Sequence, residues 1–344
     1  MTNYIGIDEF LELRRSVSVL DVRSPQEYGQ GHVPGAVNLP LFSNAERSLV
    51  GKTYKEKGRD KAILYGLDFA GKKLSIYVTN ALRTAPQKRV LMHCWRGGMR
   101  SEAMGWLLSF SGFDISLLNG GYKAYREFIR NQWDSPANII ALSGKTGAGK
   151  TEILEHLRQM GQQVVDLEKL ACHKGSAFGS LGQPPQPTNE QFENDLADKW
   201  IGLDWSRVTW IEDESRSIGC VSIPGNLKES MQNCTVVCLD MPVELRVGRL
   251  VRDYSSFPEN LLAASVEKIK KKLGGQHATA AVKAIENKDF SLAARIILKY
   301  YDKAYSYDLK KREKQKVLTI NTDTADAGTN ARRIIEYCGK KGLL

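Results

Sequence analysis

No run in this chain of 344 residues is long and apolar enough to cross a bilayer; stretches such as Asn138–Ser143 are the size of a strand. The first residues, Met1 to Glu9, have neither the basic start nor the apolar centre of a secretory signal. Cysteine is scarce: six in all, without regular spacing, which argues against a disulfide framework and for reduced thiols. No internal repeat and no low-complexity tract appears. These absences lead us to expect a cytoplasmic protein with no membrane partner. An apolar fraction of 42% and a charged fraction of 26% are those of a globular chain, and the length suits two ordinary domains.

Positive charge is in excess. The net charge of +10 suggests an anionic partner, nucleic acid first. Basic residues crowd the C-terminal half, from Lys268 to Lys272 and again at Lys310, Lys311, Arg312, Lys314 and Lys316. Each cluster taken alone is equally well explained as a solvated helix face.

Apolar patterning divides the chain into two α/β halves. Val17–Val22 and Arg89–His93 read as strands, and Ser101–Leu108 carries a helix pattern. Strand, tight loop and helix make a βα unit with a largely parallel sheet. We expect a first domain over 1–133, a linker at Asn131–Pro136 and a second domain over 134–344. Strands are expected at Ile139–Leu142, Gln163–Asp166, Val208–Ile211, Thr235–Leu239 and Val317–Ile320, with a loop at Gly179–Thr188. Between about 243 and 316 the pattern turns helical and lysine-rich, which reads as a helical, basic insertion or lid.

Each half carries one chemical loop. In the first, His93-Cys94-Trp95-Arg96-Gly97-Gly98-Met99-Arg100-Ser101 runs from a strand into a helix. Successive amides in such a loop form an anion-binding nest, and the helix N-terminus adds partial positive charge. Arg96 and Arg100 add full charges. All favour thiolate over thiol, so Cys94 is expected to be a nucleophile of depressed pKa, on a loop shaped by Gly97 and Gly98. In the second half, Gly144-Lys-Thr-Gly147-Ala-Gly149-Lys150-Thr151 is a Walker A pattern between an apolar strand and a helix. Its amides would cradle phosphate oxygens, Lys150 would reach the terminal phosphates, and the Thr151 hydroxyl suits Mg²⁺. Val208–Ile211 with Glu212, Asp213 and Glu214 reads as the companion acidic strand; we assign the metal to Thr151 and Asp213, although any of the three carboxylates fits the pattern. Arg246 and Arg249 are either lid arginines or surface residues. Cys234 and Cys238 share a strand face, and Cys172-His173 lacks a second ligand pair, so no structural metal site and no tightly bound cofactor is expected.

Upstream of Cys94, Leu20-Asp21-Val22-Arg23 and Gly31-His32-Val33-Pro34-Gly35-Ala36, together with the cysteine loop, resemble the rhodanese family of sulfur-carrier domains over about residues 5 to 130. The resemblance implies a persulfide-type role for Cys94 and framework roles for Asp21, Arg23 and His32. The arginine of the loop sits one residue later than in many single-domain rhodaneses. The Cys-x5-Arg spacing that results is shared with cysteine phosphatases and suggests a larger, phosphate-like donor.

Further strings extend the resemblance: Asp166-Leu-Glu-Lys-Leu-Ala-Cys-His-Lys-Gly175-Ser-Ala-Phe-Gly, Glu212-Asp-Glu-Ser-Arg-Ser-Ile-Gly219 and Tyr300-Tyr-Asp-Lys-Ala-Tyr305. With Cys-Trp-Arg-Gly-Gly-Met-Arg-Ser and Gly-Gly-Tyr-Lys-Ala, they make the whole chain similar to the tRNA 2-selenouridine synthase family. The resemblance implies conversion of 2-thiouridine at the tRNA wobble position to 2-selenouridine through S-geranyl-2-thiouridine. Geranyl diphosphate and selenophosphate would be co-substrates, tRNA the partner, and a selenophosphate-supplying enzyme a further candidate partner. Cys94 would carry selenium or bind its donor, and the P-loop would hold the prenyl diphosphate. Rival readings are a cysteine phosphatase with a P-loop regulatory domain, an ATP-dependent tRNA thiolase, and a binding module with two relic sites.

Overall fold

The computed structural model describes residues 3–134, 138–309, 312 and 316–344, with no side-chain detail for Asp134 and Asp308. Ser135 and Pro136 of the expected linker, and Lys310, Lys311 and Lys314 of the last basic cluster, lie outside the described residues. The chain divides into two compact units, Met1–Gln132 and Trp133–Leu344. Trp133 is thereby core of the second unit rather than linker: it is buried, with its ring 6.0 Å from that of Trp200.

The first unit is built on β1 (Asn3–Ile5), β2 (Ser18–Asp21), β3 (Val37–Asn38), β4 (Arg89–His93) and β5 (Asp114–Leu118). They form one parallel sheet in the order β1-β5-β4-β2-β3. In β4, Val90 to His93 are all buried, which is why the strand reads as a continuous apolar run instead of an alternation. The central position of β4 puts Cys94 at the middle of the sheet's carboxyl edge. The helix Met99–Phe110 leaves from there, packing Met104, Leu107 and Leu108 against the sheet.

The second unit contains β6 (Ile139–Gly144), β7 (Gln163–Val165), β8 (Thr209–Glu212), the hairpin β9 (Ser217–Ile218) and β10 (Val221–Ser222), β11 (Thr235–Asp240) and β12 (Val317–Asn321). Five of these make a parallel sheet, β7-β8-β6-β11-β12. The chain leaves β6, runs to the β7 edge, returns through β8 and then crosses to β11. The progression therefore reverses around β6, and in open α/β sheets such a switch point opens a crevice at the carboxyl ends of the strands. Between β11 and β12 stand four helices: Val243–Tyr254, Glu259–Leu273, Gly275–Glu286 and Phe290–Leu309. Small residues at their contacts (Ala278, Ala281, Ala284, Ala293) let them pack closely around Leu262, Val266, Ile285 and Ile297. No helix among the described residues is long and apolar enough to cross a membrane.

Candidate functional site

At the carboxyl end of β4, Cys94 is 3% exposed. Its Sγ lies 3.3 Å from the Ser101 hydroxyl, which also stands 3.0 Å from the Gly98 carbonyl. Burial alone would push the thiol up. The Ser101 hydroxyl, the Arg100 charge and the amides of Ser101 and Arg96 outweigh it, so the pKa falls below the ordinary thiol value. Arg96 contributes through its backbone; its side chain is exposed. Arg100 is nearby but not free. Its guanidinium grips Glu27 in a bidentate pair at 2.6 and 3.2 Å, and Glu27 also closes the capping box of the helix Pro25–Gln30 with Ser24. The two arginines of the loop therefore deliver less net charge to Cys94 than their number suggested.

The loop is locked from behind by the start of the helix Gly121–Arg130. Tyr122 N–H donates to the Cys94 carbonyl and Lys123 N–H to that of Trp95, both at 2.9 Å. Backbones approach so closely there that a Cβ on Gly97 would stand 2.7 Å from the Leu118 oxygen, and one on Gly121 2.4 Å from the Gly97 nitrogen. Both glycines also have positive φ. Gly98 differs: a Cβ there meets nothing within 4 Å.

Asp21, Arg23 and His93 form a buried frame beneath the loop. Arg23 is fully buried, donates to Asp21 and to the Gly31 carbonyl at 2.6 Å, and lies 3.7 Å over the Tyr122 ring. His32 packs outside this frame, its ring stacked at 3.9 Å on Tyr28.

In the second unit the loop after β6 holds Gly147 and Gly149 at positive φ. A Cβ on Gly147 would stand 3.1 Å from the Arg246 oxygen, and one on Gly149 2.5 Å from the Arg249 guanidinium. Gly144 is hemmed in by Ala148 and Leu239. Lys150 Nζ lies 3.4 Å from the Gly144 carbonyl, folded back over the loop. Arg246 and Arg249 are not surface residues; both are buried. Arg246 donates to the Thr146 carbonyl and grips Asp302, while Arg249 pairs with Glu152 at 2.9 Å and donates to the Ala325 carbonyl. They brace the phosphate loop.

Thr151 and Asp213 both line the cavity beside the phosphate loop, each with its own hydrogen-bond partner. Thr151 Oγ1 donates to Glu168 at 2.8 Å, whereas Asp213 accepts from Ser143 at 2.8 Å and pairs with Arg312. Glu212 is fully buried and accepts from the Leu167 amide at 2.7 Å, away from the loop. Glu214 and Glu168 converge beside Gly175, where a Cβ would lie 3.0 and 2.9 Å from their carboxylates. Burial pushes Glu214 up to about 7, with Lys150 opposing and the Glu168 charge adding to the rise. Glu168 stands in the string Asp166–Gly179, whose residue types alone give it no role. Its only local signal is its place in the first turn of the short helix Leu167–Leu170, capped by Asp166. Among the described residues no group of three or more His, Cys, Asp or Glu is arranged as a metal cluster. Hard oxygen donors of the kind Mg²⁺ takes are present, however, in Thr151, Glu168, Asp213 and Glu214.

The Cys234 and Cys238 thiols are accounted for without metal: Cys234 precedes β11 and contacts the Met231 carbonyl, and Cys238 meets the Tyr305 hydroxyl at 3.0 Å.

A cavity of about 460 Å³ opens from the phosphate loop into the four-helix segment. One end is lined by Gly147, Gly149, Lys150, Thr151, Glu168 and Glu214, the other by Leu262, Ile285, Phe290, Ala294 and Ile297. Tyr301 and Tyr305, both from the string Tyr300–Tyr305, also line it.

Fold and loops together define a rhodanese-like unit with a cysteine loop followed by a P-loop unit, within one chain. Residues 7–128 match the model of the rhodanese-like domain, and residues 137–333 match that of the tRNA 2-selenouridine synthase AAA domain. The chain belongs to the tRNA 2-selenouridine synthase family. It is 35% identical to a tRNA 2-selenouridine synthase of Shewanella denitrificans over 90% of this chain and 92% of the relative. It is likewise 35% identical to one of Nitrosomonas europaea, over 73% of this chain and 67% of the relative. A solved structure, the N-terminal domain of a putative ATP/GTP binding protein from Clostridium difficile 630, is 40% identical over 37% of this chain and 98% of its own, with a TM-score of 0.35.

Proposed function

We propose that this protein is a transferase that modifies the wobble uridine of tRNA, converting 2-thiouridine to 2-selenouridine through S-geranyl-2-thiouridine. The relatives named tRNA 2-selenouridine synthase support a tRNA substrate. The observation that carries the finer chemistry is the two-ended cavity. A phosphate loop joined to an apolar chamber suits a diphosphate bearing a hydrocarbon chain, whereas a nucleotide needs polar partners for its base and sugar.

In this scheme the sulfur of 2-thiouridine bonds to C1 of geranyl diphosphate, the C1–O bond breaks, and the N3 proton is lost. The departing diphosphate takes its charge to Lys150 and the amides around Gly147 and Gly149. A bound Mg²⁺, held by Thr151 with Glu168 or Glu214, would share that charge. Selenium of selenophosphate then bonds to C2, and the C2–S bond breaks. The geranylthiolate leaves as geranylthiol with a proton from water, and water cleaves the Se–P bond to release phosphate. Cys94, depressed in pKa and set in an amide-lined loop, would hold the tetrahedral selenium donor while its selenium adds at C2. Exposed lysines of the helix Glu259–Leu273, among them Lys268, Lys271 and Lys272, would meet tRNA phosphates, so affinity should fall steeply with salt.

The test is to incubate the protein with 2-thiouridine-bearing tRNA, geranyl diphosphate and selenophosphate, and to weigh the wobble nucleoside by mass spectrometry. We expect 2-selenouridine from the wild type, arrest at the geranylated nucleoside in Cys94→Ala, and unchanged 2-thiouridine in Lys150→Ala. Unchanged 2-thiouridine from folded wild type would overturn the proposal.

A further inference from the structure

The helix Phe290–Leu309 joins the two ends of the cavity. Its C-terminal half is tied to the phosphate loop: the Tyr305 hydroxyl lies 3.0 Å from Ser143 Oγ, near the end of β6. Asp302 holds Arg246, which in turn donates to the Thr146 carbonyl at 3.1 Å. Tyr301 accepts from the Ala177 amide at 2.9 Å. Its N-terminal half belongs instead to the apolar core of the four-helix segment, through Ala293 and Ile297. Residues of this helix that line the cavity include Phe290, Ala294, Ile297, Leu298, Tyr301 and Tyr305, most of them three or four apart and so along one face. At about 1.5 Å per residue, Ala294 stands roughly 16 Å and Phe290 roughly 22 Å along the axis from Tyr305.

We propose that this stripe is a ruler for the hydrocarbon chain, with Phe290 as its far stop and Ala294 as the gap that admits the last part of the chain. The proposal rests on the prenyl diphosphate assignment above and adds which side chains set chain length. The physical reason is packing. The diphosphate is anchored at the P-loop, so a chain one isoprene unit longer must penetrate further along a fixed helix. It then meets the bulkiest apolar side chain at that end. A chain one unit shorter leaves the space beside Ala294 empty and forfeits its contacts. Ala294 offers a single methyl where its neighbours on the stripe, Leu298 and Phe290, are large.

The experiment offers the wild type, Ala294→Leu, the milder Ala294→Val and Phe290→Ala an equimolar mixture of dimethylallyl, geranyl and farnesyl diphosphates with 2-thiouridine tRNA. The S-alkylated nucleosides are quantified by mass spectrometry, and thermal unfolding confirms that each variant is folded. We expect geranyl to dominate in the wild type. The dimethylallyl-to-geranyl ratio should rise at least tenfold in Ala294→Leu and less in Ala294→Val, and the farnesyl-to-geranyl ratio should rise at least tenfold in Phe290→Ala. Folded, active variants that keep the wild-type ratios would overturn the ruler and leave the prenyl assignment standing. A wild type that transfers none of the three chains would overturn the assignment itself, and the ruler with it.

Discussion

Replacing Ser101 by alanine tests the account of the Cys94 thiolate. The hydroxyl has one proton and two acceptors in reach, the Gly98 carbonyl at 3.0 Å and Cys94 Sγ at 3.3 Å. When Cys94 is neutral the carbonyl is the better partner; when it ionises, the proton turns to sulfur. A hydrogen bond to a charged group contributes about 1.5–3 kcal/mol, and the neutral bond forgone is worth about 1 kcal/mol. The net preference for thiolate is then about 0.5–2 kcal/mol, and since one pKa unit is about 1.4 kcal/mol, Ser101→Ala should raise the Cys94 pKa by about one unit. The assay follows thiolate absorbance and the rate of alkylation by iodoacetamide against pH, with Cys94→Ala subtracted to remove the other five cysteines. Only the thiolate reacts, so the midpoint of the rate profile reports the pKa. Below both midpoints the variant should react about tenfold more slowly. A midpoint displaced by less than a few tenths of a unit would refute the reasoning and leave Arg100 and the loop amides as the whole cause of the depression.

Two further outcomes follow from packing and charge. Gly97→Ala places a Cβ 2.7 Å from a backbone oxygen at positive φ, and should destabilise the first unit by about 2 kcal/mol or more, whereas Gly98→Ala, with open space around it, should unfold within about 0.5 kcal/mol of wild type; chemical denaturation of the two variants compares them directly. Glu214, raised from 4.5 to about 7 by burial, binds a proton more tightly folded than unfolded. It therefore costs nothing below pH 4.5, destabilises increasingly as pH rises from 4.5 to 7, and levels off above that. Glu214→Gln should gain up to about 3 kcal/mol over wild type at pH 8 relative to pH 4.5, and a gain independent of pH would refute the assignment.

Features that are local in the chain were legible without coordinates. Cys94 after β4 and Lys150 after β6 each stand in a strand–loop–helix segment, where strand burial, glycine spacing and the following helix lie within a dozen residues. Gly147 and Gly149 had to be glycine because the loop requires positive φ, a property of the backbone itself. Arg246 and Arg249 were ambiguous because a helix pattern reports spacing and not what the face meets; their burial comes from contacts with Thr146, Asp302 and Ala325.

By itself, then, the sequence determined the two α/β units, the two loops and the family, since periodicity, turn chemistry and motif strings act over short range. Tertiary structure alone decided the occupancy of the charges and the shape of the chamber. Arg100 shares its charge with Glu27, 73 residues away, and Thr151 turned to Glu168 while Asp213 took Arg312, 99 residues on. The cavity exists only where four helices converge on the phosphate loop. Side chains far apart in sequence meet by burial and ion pairing, and which of them meet is a property of the packed fold.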